Sequence, residues 1–445
     1  MRLAKYNQIF LLLVSIFLLV GAAHAQEGGL YDSVQAEDIP PDIAIEWIDT
    51  LYSRIQADAV NAPAAARLYG YAAVAMYEAT LPGMADNNTL IGQIEHLTDL
   101  PWPTEDAIHD WPAVIDATMA TVLAGLFPDS PDSQQAFADL RDQSLAERAS
   151  EVSQEVIDRS TAFGEIMGQA LLEWISGDGY AERVTAYTPV PNDPSTWVPT
   201  EEDMVAVEPG WGAIRPLILE NADVCANLND VPFSTDENST FYAQAVEVMT
   251  VGQNLSDEQI EIAEFWVDTP GITGTPAGHW MRIASVMIRQ EGFMLNRATE
   301  LYAMIGLGVM DAFISSWSLK YQYPLLRPVT YINAYINPRW RPYIESPGFP
   351  EYPSGHSVVS GAAAALLTSY FEGARAFSST NETITLGTIT RSFTSFWAAT
   401  SESAISRLYG GIHYRAAIEN GVIQGRCVGE YIADRVRLNP VRQGE

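Results

Sequence analysis

Apolar residues recur at helical spacing along most of this chain. The first such pattern covers residues 43–81, is dense in alanine and aromatic side chains in its second half, and stops at Pro82-Gly83. Further helical patterns cover residues 111–127, 133–175, 241–250, 256–265 and 278–314. Strand-like character is confined to one short stretch, residues 383–386. The pattern therefore predicts an all-α protein.

An irregular stretch divides the helical segments into two groups. Residues 180–240 are rich in proline, tryptophan, aspartate and asparagine and show little periodicity, which is typical of a covering loop. We expect two four-helix-bundle-like halves, an N-terminal helical region of residues 26–250 and a C-terminal bundle of residues 251–445. One fused core is the alternative, because 445 residues suit either one large domain or two ordinary ones.

The first 25 residues have the three parts of a signal peptide. Arg2 and Lys5 supply the charged region, residues 9–20 are apolar, and Ala23-His24-Ala25 is a small-x-small cleavage site. An uncleaved anchor is the alternative, but the apolar run is roughly 12 residues, where a membrane span needs about 20. We therefore expect a secreted or periplasmic protein that leaves the membrane after cleavage, with no later membrane span.

The cysteine count bears on the same question of compartment. The chain has two cysteines, Cys225 and Cys427. An even count permits one disulfide bond in an oxidising compartment, and two buried thiols are the alternative. We expect the disulfide.

Acidic residues greatly outnumber basic ones, and the formal net charge is −32. This balance argues against binding to nucleic acid or to an anionic membrane surface. Because basic residues are scarce, a cluster of them requires an anion to justify it.

Three short segments of the C-terminal half together form such a cluster. They are Lys320 with Arg327-Pro328, then Pro353-Ser354-Gly355-His356, then Ser406-Arg407 with His413. Two guanidiniums bring fixed forks of donors and the lysine brings a point charge. Ser354-Gly355 precedes an alanine-rich helical run, whose start offers free N–H groups. One histidine can bond to a central atom while the other moves a proton. The set predicts a site for a tetrahedral or trigonal-bipyramidal oxyanion.

In this order and at these gaps, the segments resemble the vanadium-dependent haloperoxidases and their phosphatidic-acid-phosphatase-type relatives. The resemblance covers residues 317–413, and the wording Phe349-Pro350-Glu351-Tyr352 is similar to that of the bacterial secreted type. It implies helical bundles with the anion site in the C-terminal one. It also implies a vanadate cofactor, although phosphate can occupy the same cage. A homo-oligomer is a further possibility.

The resemblance also implies a role for each matching residue. His413 bonds the vanadium, and His356 is the acid–base group. The remaining cage residues are Lys320, which also counts as catalytic, and Arg327, Ser354, Gly355 and Arg407. The ordinary alternatives are a surface ion pair for Arg327 and a capping or core position for His356. Trp317 and Phe349 match a halide pocket, with core packing as the alternative.

The implied reaction uses hydrogen peroxide, a halide ion and a small organic acceptor. Peroxide binds to the vanadate, halide attacks a peroxide oxygen, and hypohalous acid leaves. A secreted acid phosphatase of the same superfamily is the first alternative, because phosphate and vanadate share charge and shape. An oxyanion-binding protein without catalysis is the second.

One position departs from the family pattern. The family usually has an aspartate four residues beyond the metal-binding histidine, and this chain has Ala417 there. Such a carboxylate fixes the imidazole tautomer, and its loss typically costs about 10–100-fold in metal affinity or activity. We expect Glu419, Glu402 or a backbone carbonyl to replace it.

Four other polar residues are candidates for a functional role. His96, His109 and His279 are isolated and lack metal-ligand spacing. His279 is expected to cap a helix, with a place at the rim of the site as the alternative. Asp311 is expected to pair with an active-site arginine.

Overall fold

A computed structural model describes residues 29–229 and 231–439. The expected signal peptide, residues 1–25, lies outside the described residues. Within them the chain forms thirteen α-helices and one two-stranded hairpin, which confirms the all-α prediction. The helices of the first half are α1 (Asp42–Ala57), α2 (Ala62–Thr80), α3 (Trp111–Leu126), α4 (Pro131–Arg148) and α5 (Gln154–Ser176).

The second half holds the remaining regular elements. Its helices are α6 (Thr240–Gln253), α7 (Asp257–Phe265), α8 (Thr275–Glu291), α9 (Leu295–Gln322), α10 (Pro328–Tyr335), α11 (Gly355–Tyr370), α12 (Phe396–Tyr409) and α13 (Arg415–Ala433). The hairpin strands are β1 (Phe377–Glu382) and β2 (Thr388–Phe393).

Helix α9 is the shared axis of the fold. It packs against α2 on one side and against α11 on the other. A Cβ atom at Gly306 would lie 2.5 Å from the Cβ atom of Ala73, so glycine is required where α9 and α2 approach closely. Helix α9 has the length and composition of a membrane span, which the sequence analysis did not expect. Its most apolar window is wholly buried, as in the core helix of a globular fold.

Helices α11 and α13, which begin at or just after site residues, also approach closely. A Cβ atom at Gly425 of α13 would lie 1.9 Å from the carbonyl oxygen of Val358 in α11. This contact fixes the start of α11 relative to the segment that leads into α13. One apolar core connects these helices with those of the first half. The domain boundary near residue 250 stays a prediction.

Two of the predicted helical segments are each divided into two separate helices. Residues 133–175 are divided between α4 and α5, and Ser153 is the N-cap residue of α5. Residues 278–314 are divided between α8 and α9, where Gly292 ends α8 in the left-handed conformation, with φ 62°. Apolar spacing continues across both breaks, so the pattern alone does not reveal them.

The predicted strand at residues 383–386 is wrong. These residues form the turn of the hairpin, in which the Thr383 N–H donates to the Gly387 carbonyl at 2.8 Å. The N–H groups of Ile384 and Thr385 donate to the Glu264 carboxylate. Apolar Ile384 suggested a strand, but the flanking strands are rich in serine and threonine and gave a weaker signal.

The irregular segment of residues 180–240 is fixed by two attachments. The buried carboxylate of Asp311 accepts the N–H groups of three successive residues, Leu217, Ile218 and Leu219. Burial raises the pKa of Asp311 to about 6. The expected pairing of Asp311 with an arginine is therefore wrong. A disulfide joins Cys225 to Cys427 in α13, which confirms the prediction of a bridge.

Removing the disulfide should destabilise the protein. The bridge joins residues 202 positions apart, and a native disulfide contributes roughly 2–5 kcal/mol. We expect the double variant Cys225→Ser, Cys427→Ser to have a lower Tm, measured by scanning calorimetry. Reductant should lower the Tm of the parent protein and leave that of the variant unchanged. Equal Tm values for parent and variant would contradict the expectation.

Candidate active site

The residues singled out in the sequence come together where the ends of five helices meet. Lys320 lies in the last turn of α9, Arg327 precedes α10, His356 lies in the first turn of α11, Arg407 lies at the end of α12, and His413 lies before α13. The pKa of His413 is held well below its ordinary value by burial and then by the charges of Arg327, Lys320 and Arg407. The three cations therefore lie within electrostatic reach of one imidazole.

His413 has a defined tautomer because a buried carboxylate holds one ring nitrogen. Its Nδ1 lies 2.9 Å from the Oε1 atom of Glu351, and the same oxygen accepts the Tyr414 N–H at 2.8 Å. The proton is therefore on Nδ1, and Nε2 keeps its lone pair. That Nε2 atom lies 3.3 Å from Nη1 of Arg327, inside the cluster.

Glu351 replaces the aspartate that the family usually has. The expected substitutes are wrong, because Glu419 pairs with Arg415 and Glu402 pairs with Arg391. Glu351 lies in a segment already quoted for its resemblance, but the pairing joins residues 62 positions apart. The sequence signal that could have identified Glu351 is that it is the single carboxylate in the aromatic and proline-rich stretch before Pro353.

Arg327 is fully buried, so a surface ion pair is excluded for it. Its Nε donates to the Phe349 carbonyl and its Nη1 to the Ile412 carbonyl, both at 2.9 Å. Its Nη2 is buried and has no hydrogen-bond partner among the described residues. Burial lowers the pKa of Arg327 to about 10, which leaves the guanidinium charged at neutral pH.

Arg407 is held in a similar way by neighbouring main-chain and hydroxyl oxygens. Its Nε donates to the Ser406 hydroxyl at 2.9 Å, and its Nη2 donates to the carbonyls of Trp266 and Ala263. Burial lowers the pKa of Arg407 to about 10. Both arginines are thus oriented by fixed oxygen atoms of the fold.

Lys320 anchors the segment that leads into α11. Its Nζ donates to the carbonyl oxygens of Pro350, Glu351 and Pro353. Burial, with the charge of Arg327 as a second cause, lowers the pKa of Lys320 well below its usual value. Its three donors point to main-chain oxygens here, so its predicted role as an anion ligand stays a prediction. The geometry gives it a positioning role.

His356 lies next to a carboxylate that the sequence analysis missed. Its Nε2 is buried, has no hydrogen-bond partner in the described part of the chain, and lies 3.9 Å from Oδ2 of Asp268. Burial, followed by the charge of Arg407, lowers the pKa of His356 well below its ordinary value. Asp268 has a left-handed backbone, with φ 42°, which marks a specially held residue.

Asp268 is itself held by two buried side chains. Nδ1 of His279 lies 3.2 Å from the carboxylate, and Nδ2 of Asn381 donates to it at 3.0 Å. Burial opposes ionisation, but His279, His356 and Asn381 outweigh it and keep the pKa of Asp268 below its usual value. His279 stacks on Trp266 and does not cap α8, so the capping prediction is wrong. Its alternative, a place beside the site, is the one observed.

The remaining predicted residues surround the start of α11. Ser354 is the N-cap residue, and its N–H donates to the Ala417 carbonyl at 3.1 Å. A Cβ atom at Gly355 would lie 3.3 Å from the Trp317 ring. The rings of Trp317 and Phe349 pack 4.8 Å apart, and the Trp317 indole N–H donates to the Val207 carbonyl. The halide role of these two rings stays a prediction.

A cavity of about 370 Å³ opens onto the cluster. His356, Arg407 and His413 form its polar floor. Met204 and Val207, from the irregular segment, form part of its wall, so that segment does cover the site as expected. The N–H of Val207 donates to the Gly348 carbonyl at 2.8 Å, which joins two walls of the cavity.

The residues present fit a bound oxyanion. Nη2 of Arg327 is a charged donor without a partner in the described chain, and Nε2 of His413 keeps a lone pair 3.3 Å from Nη1 of the same guanidinium. Nε2 of His356 is a second buried polar atom of the site without a hydrogen bond among those residues. Buried donors in native proteins are nearly always satisfied, so these atoms indicate a ligand that accepts hydrogen bonds and bonds to an imidazole.

We expect both site histidines to stay neutral in the anion-free protein as the pH falls through 6.5. An ordinary histidine is half protonated there, whereas burial and neighbouring cations lower the pKa of His356 and His413. Imidazole ¹⁵N chemical shifts should therefore show no protonation of either ring at pH 6.5. Variants His356→Gln and His413→Gln assign the signals. Protonation of both rings near pH 6.5 would contradict the expectation.

Comparison with known proteins agrees with this geometry. The family model described as the VCPO second helical-bundle domain matches residues 300–439. No curated protein matches the chain in sequence. The structure of the first bacterial vanadium-dependent iodoperoxidase is 34% identical, with a TM-score of 0.83, over 90% of this chain and 98% of that one.

Two more distant structures share the fold. The holo form of a bacterial vanadium-dependent chloroperoxidase is 15% identical, with a TM-score of 0.59, over 90% of this chain and 92% of that one. An apo form is also 15% identical, with a TM-score of 0.61, over 92% and 96% of the two chains. The fold, the buried cluster and the identity to the iodoperoxidase together show that the chain belongs to the vanadium-dependent haloperoxidase family.

Proposed function

We propose that this protein is a vanadate-dependent haloperoxidase that oxidises halide with hydrogen peroxide to hypohalous acid. The observation that carries the proposal is the His413 imidazole. Its Nδ1 is held by Glu351 and its Nε2 faces the buried guanidinium of Arg327, whose Nη2 lacks a partner in the described chain. The 34% identity to a vanadium-dependent iodoperoxidase supports the same reaction.

The residues assigned to vanadate have two roles: one would bond to the metal, and the others would donate hydrogen bonds to its oxygens. Nε2 of His413 would hold the metal, and Arg327 and Arg407 would donate to its oxygens. Ser354 and Gly355 would contribute from the start of α11, where free N–H groups favour an anion. Bound vanadate supplies a Lewis acid that activates hydrogen peroxide for attack by halide without itself changing oxidation state.

The chain's own residues manage charge and protons. Arg327 and Arg407 lie in a buried site, where a positive charge stabilises developing negative charge more strongly than in water. His356 is neutral, so its Nε2 accepts a proton from hydrogen peroxide and returns it to the leaving oxygen. The Asp268 carboxylate, 3.9 Å away, stabilises the imidazolium that forms.

We also propose that the protein works in an oxidising compartment outside the cytoplasm. The disulfide between Cys225 and Cys427 supports this, because such bonds persist where thiols are oxidised. The signal peptide expected at residues 1–25 would direct the chain there.

Phosphoester hydrolysis is the second candidate function. An imidazole whose Nδ1 is held by a carboxylate is also a competent phosphoryl acceptor, and the Glu351–His413 pair supplies that arrangement. Phosphate would occupy the same cage. The two functions differ in whether the protein uses peroxide.

Loading the protein with vanadate tests the first function. We expect peroxide-dependent oxidation of iodide, followed as triiodide absorbance, and loss of this activity in His413→Ala because the metal bond is removed. His96→Ala, at an exposed position, is the matched control and should be fully active. Turnover of p-nitrophenyl phosphate without iodide oxidation would reject the haloperoxidase and favour the phosphatase.

A second prediction concerns the carboxylate that replaces the family's aspartate. We expect Glu351→Gln to lower vanadate affinity about 10–100-fold, because the neutral amide no longer strengthens the lone pair of His413. Titration of the vanadate-free protein, followed by recovery of iodide oxidation, measures the affinity.

The control for this prediction is Glu419→Gln. Glu419 is largely exposed and pairs with Arg415 at 3.6 Å, so its loss should leave vanadate affinity unchanged. Equal affinities for Glu351→Gln and the parent protein would show that Glu351 does not set the imidazole's strength as a ligand.

A further inference from the structure

The segment that leads into α11 is held to the fold in two ways. Its main chain is held by Lys320, whose Nζ donates to the Glu351 carbonyl, and by the Glu351 N–H, which donates to the Leu325 carbonyl at 2.9 Å. A second attachment runs through the side chain of Tyr352. Because Tyr352 directly follows Glu351, this attachment bears on the carboxylate that holds His413.

The Tyr352 side chain is fully buried, and its hydroxyl donates to the main-chain carbonyl of Asn227 in the irregular segment. The ring packs against Tyr323, with the ring centroids 5.8 Å apart. The hydroxyl bond joins residues 125 positions apart in the chain. A buried hydroxyl that loses its partner is left unsatisfied, so the bond is costly to break. The position of Tyr352 therefore depends on the position of Asn227.

Few apolar side chains hold Asn227 in place. Of its neighbours, Val224 and Leu228 are exposed, whereas Cys225 is buried. Segments with few buried apolar contacts open at a low free-energy cost. The disulfide between Cys225 and Cys427 supplies a covalent attachment of this stretch to α13.

Hydrogen bonds to α13 supplement the disulfide two turns earlier in the helix. Asn420 accepts from the side-chain amide of Asn227 at 3.3 Å and donates to the carbonyl of Asn229 at 2.6 Å. A side-chain hydrogen bond can exchange with water, whereas a disulfide holds until it is reduced. The redox state of the two cysteines therefore controls how firmly this stretch is held against α13.

We propose that Tyr352 is a positioning residue for the imidazole assigned to vanadium, and that the disulfide makes this positioning depend on redox state. The contacts form a closed path that begins and ends at α13. The path runs from the disulfide to Asn227 and from there to Tyr352. It returns through Glu351 to His413, which lies just before α13. The inference rests on the proposed function, because vanadate is assigned to His413 there.

Reduction opens this path at the disulfide. The sulfur–sulfur bond breaks, each sulfur gains one electron and one proton, and an external dithiol is oxidised to its own disulfide. The stretch around Asn227 then keeps only noncovalent attachments, so the Tyr352 hydroxyl loses a fixed acceptor. Glu351 is held less firmly against Nδ1 of His413, and vanadate binds more weakly. Vanadate loading is thereby coupled to disulfide formation.

Binding of orthovanadate, measured by isothermal titration calorimetry well below the Tm of each protein, tests the inference. Loss of a group that orients a metal-binding histidine typically costs about 10–100-fold in affinity, and Tyr352 acts one step further out. We therefore expect an affinity loss of about three- to tenfold in Tyr352→Phe and in the double variant Cys225→Ser, Cys427→Ser. Unchanged affinity in either protein would overturn the inference.

Tyr331→Phe is the matched control. Tyr331 is equally buried, and its hydroxyl donates at 2.6 Å to the carbonyl of Ser234, which also lies in the irregular segment. Tyr331 does not adjoin Glu351, so we expect the parent's affinity for vanadate. A loss equal to that of Tyr352→Phe would show that any missing tyrosine hydroxyl has this effect, and would overturn the inference.

Combining the substitutions tests whether the disulfide acts through Tyr352. Groups on one path have non-additive effects on a binding free energy. We expect the triple variant Cys225→Ser, Cys427→Ser, Tyr352→Phe to bind vanadate as tightly as the weaker-binding of its two component variants. Affinity losses that multiply would show independent effects and would overturn the link between the disulfide and Tyr352.

The tautomer of His413 gives a second readout, which general destabilisation would not move. Imidazole ¹⁵N chemical shifts of the anion-free parent should show the proton on Nδ1, because Glu351 accepts it. In Tyr352→Phe, and in the parent reduced by a dithiol, we expect part of the population to carry the proton on Nε2. Tyr331→Phe should keep the parent's tautomer. An unchanged tautomer in Tyr352→Phe would overturn the inference.

The tautomer measurement needs no vanadate, so it separates this inference from the proposed function. A parent protein that neither binds vanadate nor oxidises iodide overturns the proposed function, and a tautomer shift in Tyr352→Phe still supports the positioning of His413. Iodide oxidation by the parent, with unchanged tautomer and vanadate affinity in Tyr352→Phe, overturns this inference alone.

Discussion

The burial of three cations side by side is the constraint on which the site depends. Removing a charge from water costs several kcal/mol unless hydrogen bonds and opposite charge compensate. Here main-chain carbonyls do much of this work: Lys320 is held by the segment before α11, Arg327 by Ile412 and Arg407 by Trp266. Compensation remains incomplete, because Nη2 of Arg327 has no partner in the described chain. The buried positive charge therefore favours binding of an anion at this position.

The positions of these carbonyls depend on how the neighbouring helices pack. The cations are bound by loop segments, and those segments are bounded by the tightly packed helices α9, α11 and α13. Close approach at Gly306 and Gly425 leaves these helices little freedom to shift. Core packing therefore sets the geometry of the active site. The side-chain positions around His413 follow from helix contacts many residues away.

Features set by local sequence could be predicted, whereas contacts between residues far apart in the chain could not. The helical class follows from apolar spacing, and the site residues follow from three motifs in order. The carboxylate of Glu351 is visible in the sequence, but its pairing with His413, 62 positions away, is not. Asp268 was missed for the same reason. A single strand was predicted at residues 383–386, which form the hairpin turn, because the polar hairpin strands resemble a loop and the apolar turn resembles a strand.

The covering segment has a consequence for how the molecule is assembled during synthesis. Met204 and Val207 are made early, whereas Arg407, His413 and Cys427 are among the last residues made. A nascent chain therefore contains this part of the cavity wall long before it contains the polar floor. A chain interrupted before residue 413 lacks the imidazole on which the proposed halide oxidation depends, so under this proposal the oxidant forms only in finished molecules.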